Sequence, residues 1–200
     1  MFTGIVQEIG IISSKEKTNS GISIEVDVEP TFLKNLEIGA SIAVNGVCLT
    51  VTKFNENSVA FDVIPETLRV TNLEEISVSS KVNMERSLKF GDEVGGHILS
   101  GHISCRAPAK LIESGDEVEL AVECPDEWVN YIFLKGYVAI NGASLTVAKK
   151  TDKSFSVFLI PETLSATNLS EVQNGNLLNI EVDQTTYAAV KAAEARLAET

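Results

Sequence analysis

Two histidines, His97 and His102, lie in one short stretch of this 200-residue chain, GGHILSGHI at residues 95–103. Imidazole groups change charge near neutral pH, and the neighbouring glycines let the backbone approach a ligand closely. Both properties indicate a site of proton transfer. If residues 97–103 form a strand, the two side chains point to opposite faces, so we expect one histidine to serve the site and the other to pack or hydrogen-bond nearby.

A thiol and a hydroxyl occupy equivalent places in two related motifs, SIAVNGVCLTV (residues 41–51) and YVAINGASLTV (residues 137–147). Cys48 of the first motif aligns with Ser144 of the second. Cys48 can act as nucleophile, hydrogen-bond partner or pocket wall, since direct attack needs a thiolate and nothing in the sequence indicates a lowered pKa.

These motifs belong to a longer internal repeat. VIPETLRVTNL (residues 63–73) returns as LIPETLSATNL (residues 159–169), and this pair has the same offset of 96 as the two motifs above. The opening FTGIV (residues 2–6) matches LSGHI (residues 99–103) at an offset of 97. The sequence therefore predicts a duplicated domain.

Each copy has the pattern of an all-β domain. Apolar and polar residues alternate over residues 22–29 and 118–125, the period of a half-buried strand. Asn-Gly dipeptides at residues 45–46 and 141–142 are typical of tight hairpin turns. Several short strands with such turns predict a small closed barrel in each copy, because closure removes exposed strand edges.

Helices are predicted at only a few places. Short helical turns are expected near TFLKNLE, PETL and DEWVNYIF, and the alanine-rich QTTYAAVKAAEARLAET predicts one terminal helix outside the repeat. The apolar side of that helix can pack on its own barrel or against copies of itself, and the sequence favours neither.

Composition excludes several classes of partner. Sixteen basic and 28 acidic residues give a net charge of -12, which disfavours binding to nucleic acid or anionic lipid. The N-terminus lacks a positive n-region and no apolar run approaches membrane-spanning length, so a cytoplasmic location is predicted. Three cysteines without close C-x-x-C spacing favour neither a disulfide framework nor a zinc site.

The chain as a whole resembles the riboflavin synthases, the lumazine-binding family with two barrels. The resemblance covers essentially the full length and is carried, in order, by MFTGIV, NGVCLTV, PETLRVTNL, VNMERSLKFGDEVGGHILSGHI, YIFLKGYVAINGASLTV and NIEVDQTTY. It implies an all-β chain of two tandem six-stranded Greek-key barrels, residues 1–96 and 97–184, followed by a C-terminal α-helix for oligomerisation at residues 185–200.

The resemblance also implies an activity. Two molecules of 6,7-dimethyl-8-ribityllumazine exchange a four-carbon unit, which yields riboflavin and 5-amino-6-ribitylaminouracil without a cofactor or metal. Each barrel binds one lumazine, and a homotrimer places the N-terminal barrel of one subunit opposite the C-terminal barrel of the next. Association with a lumazine synthase shell is left open.

Substrate-binding residues follow from the same resemblance. In the first repeat they are Phe2, Gly4, Ile5, Val6, Ser41, Cys48, Leu49, Thr50, Asp62, Val63, Ile64, Pro65, Glu66 and Thr67. In the second repeat they are Gly101, His102, Ile103, Lys135, Ser144, Leu145, Thr146, Phe158, Leu159, Ile160, Pro161, Glu162 and Thr163. An alternative for Glu66 and Glu162 is a place in the first turn of a short helix, away from ligand.

Five residues are the candidates for catalysis: His102, Cys48, Ser144, Asp183 and Lys135. The reaction needs a base to remove a proton from the C7 methyl of one lumazine and a nucleophile, side chain or water, to add at C7 of the other. His102 is the first candidate for proton transfer near Cys48. Ser144 or Asp183 can activate water and Lys135 can contact a ring carbonyl, with the division of roles open.

The two copies differ where distinct roles are needed. Ser87 aligns with Asp183, and Ile5 aligns with His102. A second hypothesis is a non-enzymatic lumazine or flavin carrier, since fluorescent proteins with this fold hold a chromophore without turnover. The five candidate groups argue against it, because a carrier needs a pocket but no proton-transfer residues.

Overall fold

The first half of the chain forms a closed antiparallel barrel. The fold is taken from a computed structural model, in which residues 1–198 are described. The strands are β1 (Glu8–Thr18), β2 (Gly21–Asp27), β3 (Ser41–Val44), β4 (Val47–Phe54), β5 (Ser58–Val63) and β6 (Lys81–Arg86). They are hydrogen-bonded in the order β1-β2-β5-β4-β3-β6, and β6 returns to β1. This is the predicted six-stranded barrel.

The second half repeats this arrangement with one strand interrupted. Its strands are β7 (Cys105–Ser114), β8 (Glu117–Glu123), β9 (Tyr137–Ile140), β10 (Ala143–Thr146), β11 (Lys149–Lys150), β12 (Ser154–Leu159) and β13 (Asn176–Val182). The order β10-β9-β13-β7-β8-β12-β11 matches the first barrel when β10 and β11 are taken as two parts of a β4 counterpart.

The break in that counterpart has a local precedent in the first barrel. The register between β4 and β5 shifts between Val51 and Lys53, at the equivalent point of the repeat. In the second half the ladder resumes through Ala148, whose N–H donates to the Ser156 carbonyl at 2.8 Å. The second sheet therefore has seven strands where six were predicted. The irregularity that shifts the register of β4 in the first barrel divides the equivalent strand into β10 and β11 in the second.

Helical segments are short except at the C-terminus. They are α1 (Pro65–Val70), α2 (Asp126–Val129), α3 (Pro161–Ala166) and α4 (Gln184–Ala198), with 3₁₀ turns at Asn72–Glu74 and Asn168–Glu171. Proline at the first position of α1 and α3 is pre-organised for a helix start. The terminal helix is confirmed for residues 184–198, and residues 199–200 of the predicted segment lie outside the described residues. No helix within residues 1–198 combines the length and apolar composition needed to cross a membrane.

Each half has its own hydrophobic core. The alternation predicted for residues 22–29 is confirmed, since β2 and its extension bury Ile22, Ile24, Val26 and Val28. The equivalent strand β8 buries Leu120 and Val122 and is followed by buried Cys124. These side chains fill the barrel interiors, so the outward faces of the strands remain available for a site.

Asparagine side chains join the two halves. Asn83 donates from its amide to the Asn141 carbonyl, and Asn179 donates to the Asn45 carbonyl, both at 2.9 Å. The backbone N–H groups of Asn72 and Asn168 donate to the side-chain oxygens of Asn179 and Asn83 at 2.7 Å. Each hairpin turn is thus held by the last strand of the opposite barrel, and the two halves pack reciprocally.

Candidate active site

The segment that begins each repeat, residues 2–6 or 99–103, lies against a hairpin of the other repeat. Residues 2–6 contact the β9–β10 hairpin, and residues 99–103 contact the β3–β4 hairpin. The Gly4 carbonyl accepts a hydrogen bond from Ser144 N at 2.8 Å, and the Gly101 carbonyl accepts one from Cys48 N at 2.9 Å. Both glycines have positive φ, +76° and +78°, and a Cβ on either would lie within 2.6 Å of the partner's Cβ. Only glycine allows this approach, and the residues that follow, Ile5 and His102, begin directly beyond these contacts with Ser144 and Cys48.

Two clusters of predicted site residues are called pockets for the binding role predicted above: the first pocket is Cys48, His102, Ser41 and Thr50, and the second pocket is Ser144, His97, Lys135 and Asp183. Cys48 and Ser41 are half-buried on the outer face of the first barrel, while His102 and Thr50 are exposed. Ser41 and Thr50 are direct cross-strand partners in β3 and β4. The arrangement places one thiol and two hydroxyls on one face of the first barrel, and His102 of the second repeat directly follows the glycine that contacts Cys48.

The second pocket contains a hydrogen-bonded pair that the sequence did not predict as a catalytic unit. His97 Nδ1 lies 2.6 Å from Ser144 Oγ. The imidazole is 7% exposed and stacks on the Tyr137 ring at 5.1 Å between centroids, with 16° between planes. Its Nε2 is buried and finds no hydrogen-bond partner among residues 1–198. A Ser–His pair of this geometry can lower the cost of removing the hydroxyl proton.

Burial determines the protonation of His97. Desolvation lowers the pKa of its imidazole below the ordinary value of 6.5, and the negative charge of Asp183 opposes that shift only in part. The ring is therefore neutral at physiological pH. With Nδ1 as acceptor for the Ser144 hydroxyl, the proton resides on Nε2, which is the tautomer a general base at Nδ1 requires.

Asp183 connects this pocket to the terminal helix. Its carboxylate accepts hydrogen bonds from Thr186 N at 2.9 Å and Thr186 Oγ1 at 2.7 Å, which caps the start of α4. Burial raises the pKa of the carboxyl, but the hydrogen bonds from Thr186 and Thr185 and the nearby His97 outweigh burial and lower the pKa overall. Asp183 is therefore an anion that both caps α4 and acts electrostatically on His97.

The linker between the repeats, residues 87–98 between β6 and the segment 99–103, holds His97 in place. A Cβ on Gly96 would lie 2.2 Å from the Thr3 carbonyl oxygen and 2.7 Å from Ser144 Cβ. The linker therefore passes in direct contact with both the first segment and the hairpin of the second barrel. Residues 97–103 form no strand beyond an isolated bridge between Phe2 and Leu99, so the expected alternation of the two histidines does not apply.

Other predicted binding residues fall into two groups. Five have side chains buried in the interior and can offer ligand only backbone groups: Phe2, Leu49, Val63, Leu145 and Leu159. The outward group is exposed and comprises Ile5, Thr50, Asp62, Ile64, Pro65, Lys135, Thr146, Phe158, Ile160 and Pro161. Exposed apolar side chains in this second group indicate a surface that another group covers.

The two Pro-Glu-Thr sequences, residues 65–67 and 161–163, begin helices α1 and α3, as the alternative for Glu66 and Glu162 predicted. Glu66 lies in the first turn of α1 and forms an exposed ion pair with Arg69 at 2.6 Å. Glu162 has the equivalent place in α3. The Thr67 and Thr163 carbonyls accept hydrogen bonds from the hydroxyls of Thr71 and Thr167.

The segments at residues 2–6 and 99–103 each pack on the opposite barrel. Val6 packs against the core of the second barrel, and Ile103 packs against the core of the first. Lys135 has positive φ (+65°), and its N–H donates to the Val147 carbonyl at 2.9 Å, which fixes the turn from which the lysine side chain extends.

His97 packs and forms a hydrogen bond, as predicted, but its partner Ser144 was not predicted. The Gly95-Gly96 pair immediately before His97 indicates close approach to another chain segment. The partner, Ser144, lies 47 positions away and has no periodic relation to the linker. The two pockets therefore differ chemically: the first combines Cys48 with an exposed His102, and the second combines Ser144 with a buried neutral His97.

Comparison with known proteins agrees with this two-barrel architecture. The family model described as "Lumazine binding domain" matches twice, at residues 3–87 and 100–183. The solved structure of LumP complexed with riboflavin superimposes with a TM-score of 0.84 at 29% identity, covering 92% of this chain and 100% of that chain. LumP complexed with 6,7-dimethyl-8-(1'-D-ribityl) lumazine gives a TM-score of 0.82 at 27% identity, covering 91% and 99%.

Several curated proteins with similar sequences are riboflavin synthases, a more specific description than the domain family. Riboflavin synthase of Escherichia coli (strain K12) is 45% identical, with 99% of this chain and 94% of the relative aligned. Riboflavin synthase of Chlamydia pneumoniae is 43% identical over 99% and 98%, and that of Schizosaccharomyces pombe is 35% identical over 100% and 97%. The chain belongs to the lumazine-binding domain family and, within it, to the riboflavin synthases, which are enzymes.

Proposed function

We propose that the chain is a transferase that converts two molecules of 6,7-dimethyl-8-ribityllumazine to riboflavin and 5-amino-6-ribitylaminouracil. A four-carbon unit passes from one lumazine to the other, so atoms and electrons balance within the substrate pair. The observation that carries the proposal is a pair of repeat-related pockets with different reactive groups. Two copies of one compound that play different roles need such a pair.

The second pocket supplies the nucleophile in this proposal. Neutral His97 accepts the proton of Ser144 Oγ, and the activated oxygen, or a water held by it, adds at C7 of the bound lumazine. The 2.6 Å distance between His97 Nδ1 and Ser144 Oγ supports this role. Lys135 stabilises charge that develops on the ring, and Asp183 stabilises the imidazolium that forms.

The first pocket supplies the base for the second lumazine. His102 removes a proton from the C7 methyl, and its exposed ring beside Cys48 is free to reach a ligand on the outer face of the barrel. Cys48 has its N–H bonded to the Gly101 carbonyl and lies within contact distance of that glycine, which supports a role as pocket wall and hydrogen-bond partner.

We further propose that the enzyme is a homotrimer whose productive sites form between subunits. The exposed side chains of Ile5, Phe158 and Ile160 leave the second pocket open in a single chain, and a facing first pocket of another subunit would cover them. In α4, Tyr187 and Val190 pack against the core of the second barrel, whereas residues 191–198 are exposed. That exposed part is available for contacts between copies. Copurification tests association with a lumazine synthase shell.

The primary test is turnover of the purified protein. Incubation with 6,7-dimethyl-8-ribityllumazine should release riboflavin, followed by its absorbance, and His102→Gln should abolish the release. Equal turnover in His102→Gln would leave the enzyme intact but move proton abstraction to another group. Absence of turnover in the wild-type protein would refute the proposed reaction.

Subunit mixing tests where the site forms. His97→Gln and His102→Gln should each have little activity alone. A mixed trimer should regain activity, because the first pocket of a His97→Gln subunit and the second pocket of a His102→Gln subunit together retain both histidines. Failure to complement after verified subunit exchange would place both pockets of one site in a single chain.

A non-enzymatic chromophore carrier is the second candidate. The likeness to LumP in complex with riboflavin, at a TM-score of 0.84, is the observation that favours it. A carrier would purify with bound chromophore and leave added lumazine unchanged. The same incubation therefore separates the two functions.

A further inference from the structure

Each barrel buries one carboxylate in its last strand at the equivalent place of the repeat. Glu85 lies in β6 and Glu181 in β13, with 4% and 1% exposure. Neither forms an ion pair with a lysine or arginine within residues 1–198. A buried carboxylate without a cation is costly, so these two groups must be held by hydrogen bonds.

Those hydrogen bonds come from the segment that crosses to the other barrel. Glu181 Oε1 accepts from Ser100 N and Ser100 Oγ, both at 2.7 Å, and Oε2 accepts from Gly101 N at 3.1 Å. The Ser100 hydroxyl also accepts from His102 N at 3.2 Å. Glu181 of the second barrel therefore holds the segment that presents His102 to the first pocket.

Glu85 repeats the arrangement in the opposite direction. Its Oε1 accepts from Thr3 N at 2.6 Å and from Thr3 Oγ1 at 2.8 Å, and its Oε2 accepts from Gly4 N at 3.1 Å. Gly4 in turn accepts from Ser144 N, and the Thr3 carbonyl contacts the linker at Gly96, next to His97. Glu85 of the first barrel therefore supports the Ser144–His97 pair of the second pocket.

We propose that Glu181 and Glu85 are reciprocal positioning residues, Glu181 for His102 and Glu85 for the Ser144–His97 pair. The expected loss of kcat rests on the proposed function. The expected displacement of the two segments rests on the hydrogen-bond geometry alone. Each pocket thus depends on a carboxylate from the other half of the chain. The arrangement gives a physical reason why the two barrels act as a pair.

The conservative substitution for the test is glutamine. A glutamine side chain has the volume of glutamate, but one of its two polar ends is an NH₂ donor that faces a backbone N–H where the carboxylate accepted. Glu181→Gln should therefore displace Gly101 and, with it, His102. Glu85→Gln should displace Gly4 and, through Ser144, His97.

The two histidines of the chain make a direct readout possible. In protein labelled with ¹³C-histidine, the two Cε1–Hε1 resonances are assigned with His97→Gln and His102→Gln. Glu181→Gln should shift the His102 resonance and leave that of His97 in place, and Glu85→Gln should do the reverse. A purely structural role would move both resonances or neither, and either pattern in a folded variant overturns the proposal.

Kinetics provide the second readout. Both glutamine variants should lower kcat by about 10- to 100-fold with a smaller change in KM, since misplacement of a reacting group by about 1 Å has an effect of this size. If either variant fails to fold, Ser100→Ala and Thr3→Val remove one hydroxyl each and should give the same crossed pattern of resonance shifts. Wild-type kcat in a folded Glu181→Gln protein would refute the positioning role. If the variants show the crossed shifts but the wild-type protein does not convert lumazine, only the proposed reaction is refuted.

Discussion

His97 and Ser144 are joined by a 2.6 Å hydrogen bond although 47 positions separate them in the chain. His97 belongs to the linker between the repeats, and Ser144 follows the hairpin of the second barrel. In the first pocket Cys48 aligns with Ser144, but the imidazole is His102, which lies in the segment 99–103 and not in the linker. The two barrels therefore have similar backbones, and the linker gives the second pocket different chemistry.

The Ser144–His97 pair should behave as a unit in mutagenesis. His97→Gln and Ser144→Ala should each lower kcat by about 10²- to 10⁴-fold, the usual effect of losing general acid–base assistance. The double variant should be no slower than the worse single one, because either change already breaks the pair. Steady-state kinetics of riboflavin release measures all three, and multiplicative losses would show that the two side chains act independently.

Asp183 should control the pH dependence of activity through its charge. The pKa of His97 is lowered by burial, and the Asp183 anion raises it in opposition. A base must be unprotonated, so the contribution of His97 to kcat is lost when the pH drops below that depressed pKa, in addition to any loss from protonation of His102. Asp183→Asn removes the opposing charge, so the part of the acid limb that His97 contributes should move to lower pH, together with the pH titration of the His97 resonance.

The Asp183→Asn variant distinguishes the charge of Asp183 from its role as the N-cap of α4. Asn is as good an N-cap as Asp, so Asp183→Asn should retain α4, whereas Asp183→Ala should lose about 1 kcal/mol of stability. Circular dichroism and thermal unfolding check both variants. An acid limb that stays in place in Asp183→Asn while the His97 titration moves to lower pH would show that His97 is not the titrating base.

Local sequence patterns predicted the elements of the fold well. The alternation in β2, the two Asn-Gly turns and the proline-initiated α1 and α3 all depend on residues within a few positions of one another. Asn45 and Asn141 have φ of +47° and +45°, as a tight hairpin turn requires. The gap between β10 and β11 was not predictable, because Val147 and Ala148 remain compatible with a strand.

The candidate site was less predictable because its geometry is non-local. Nothing in the periodicity of residues 2–6 or 99–103 indicates that each segment lies on the opposite barrel. The offset of 97 for these segments, against 96 elsewhere, was the one hint that they are positioned separately from the sheets. His97 was assigned a packing or hydrogen-bonding role, and its bond to Ser144 follows from the path of the linker.

Gly96 should be intolerant of a side chain. In Gly96→Ala the new Cβ would meet the Thr3 carbonyl oxygen at 2.2 Å, a backbone contact that only movement of the linker can relieve. We expect loss of the His97–Ser144 bond and at least a tenfold fall in kcat. Gly95→Ala is the matched control, since its Cβ would meet only the flexible end of Ile5 at 3.3 Å. Equal activity of the two variants would remove the linker from the site.

Asn179 should contribute strongly to the stability of the paired barrels. It is fully buried, donates to Asn45 O and accepts from Asn72 N. Asn179→Ala leaves both partners unsatisfied, which should lower the free energy of unfolding by about 3 kcal/mol. Exposed Asn174→Ala should change it by less than about 0.5 kcal/mol. Urea denaturation compares the two, and similar values would show that the amide contacts between the barrels add little.

Glu85 and Glu181 should make stability depend on pH in an uncommon direction. Desolvation raises the pKa of both carboxyls above the ordinary 4.5, although hydrogen bonds from Thr3, Gly4, Ser100 and Gly101 oppose the shift. A carboxyl whose pKa is higher in the folded state binds its proton more tightly there. Its contribution to stability is therefore fully present below pH 4.5 and is lost as the pH rises through the raised value.

Glutamine variants isolate this contribution because they do not titrate. The unfolding free energy of the wild-type protein minus that of Glu181→Gln should decrease as the pH rises from 4.5, by at most about 1.4 kcal/mol per pH unit, until the raised pKa is passed. Glu85→Gln should give the same sign. Exposed Glu16→Gln is the control for general charge effects. A difference that stays constant or grows with pH would mean that hydrogen bonding, not burial, dominates these two carboxylates, because only desolvation makes the folded state prefer the protonated form.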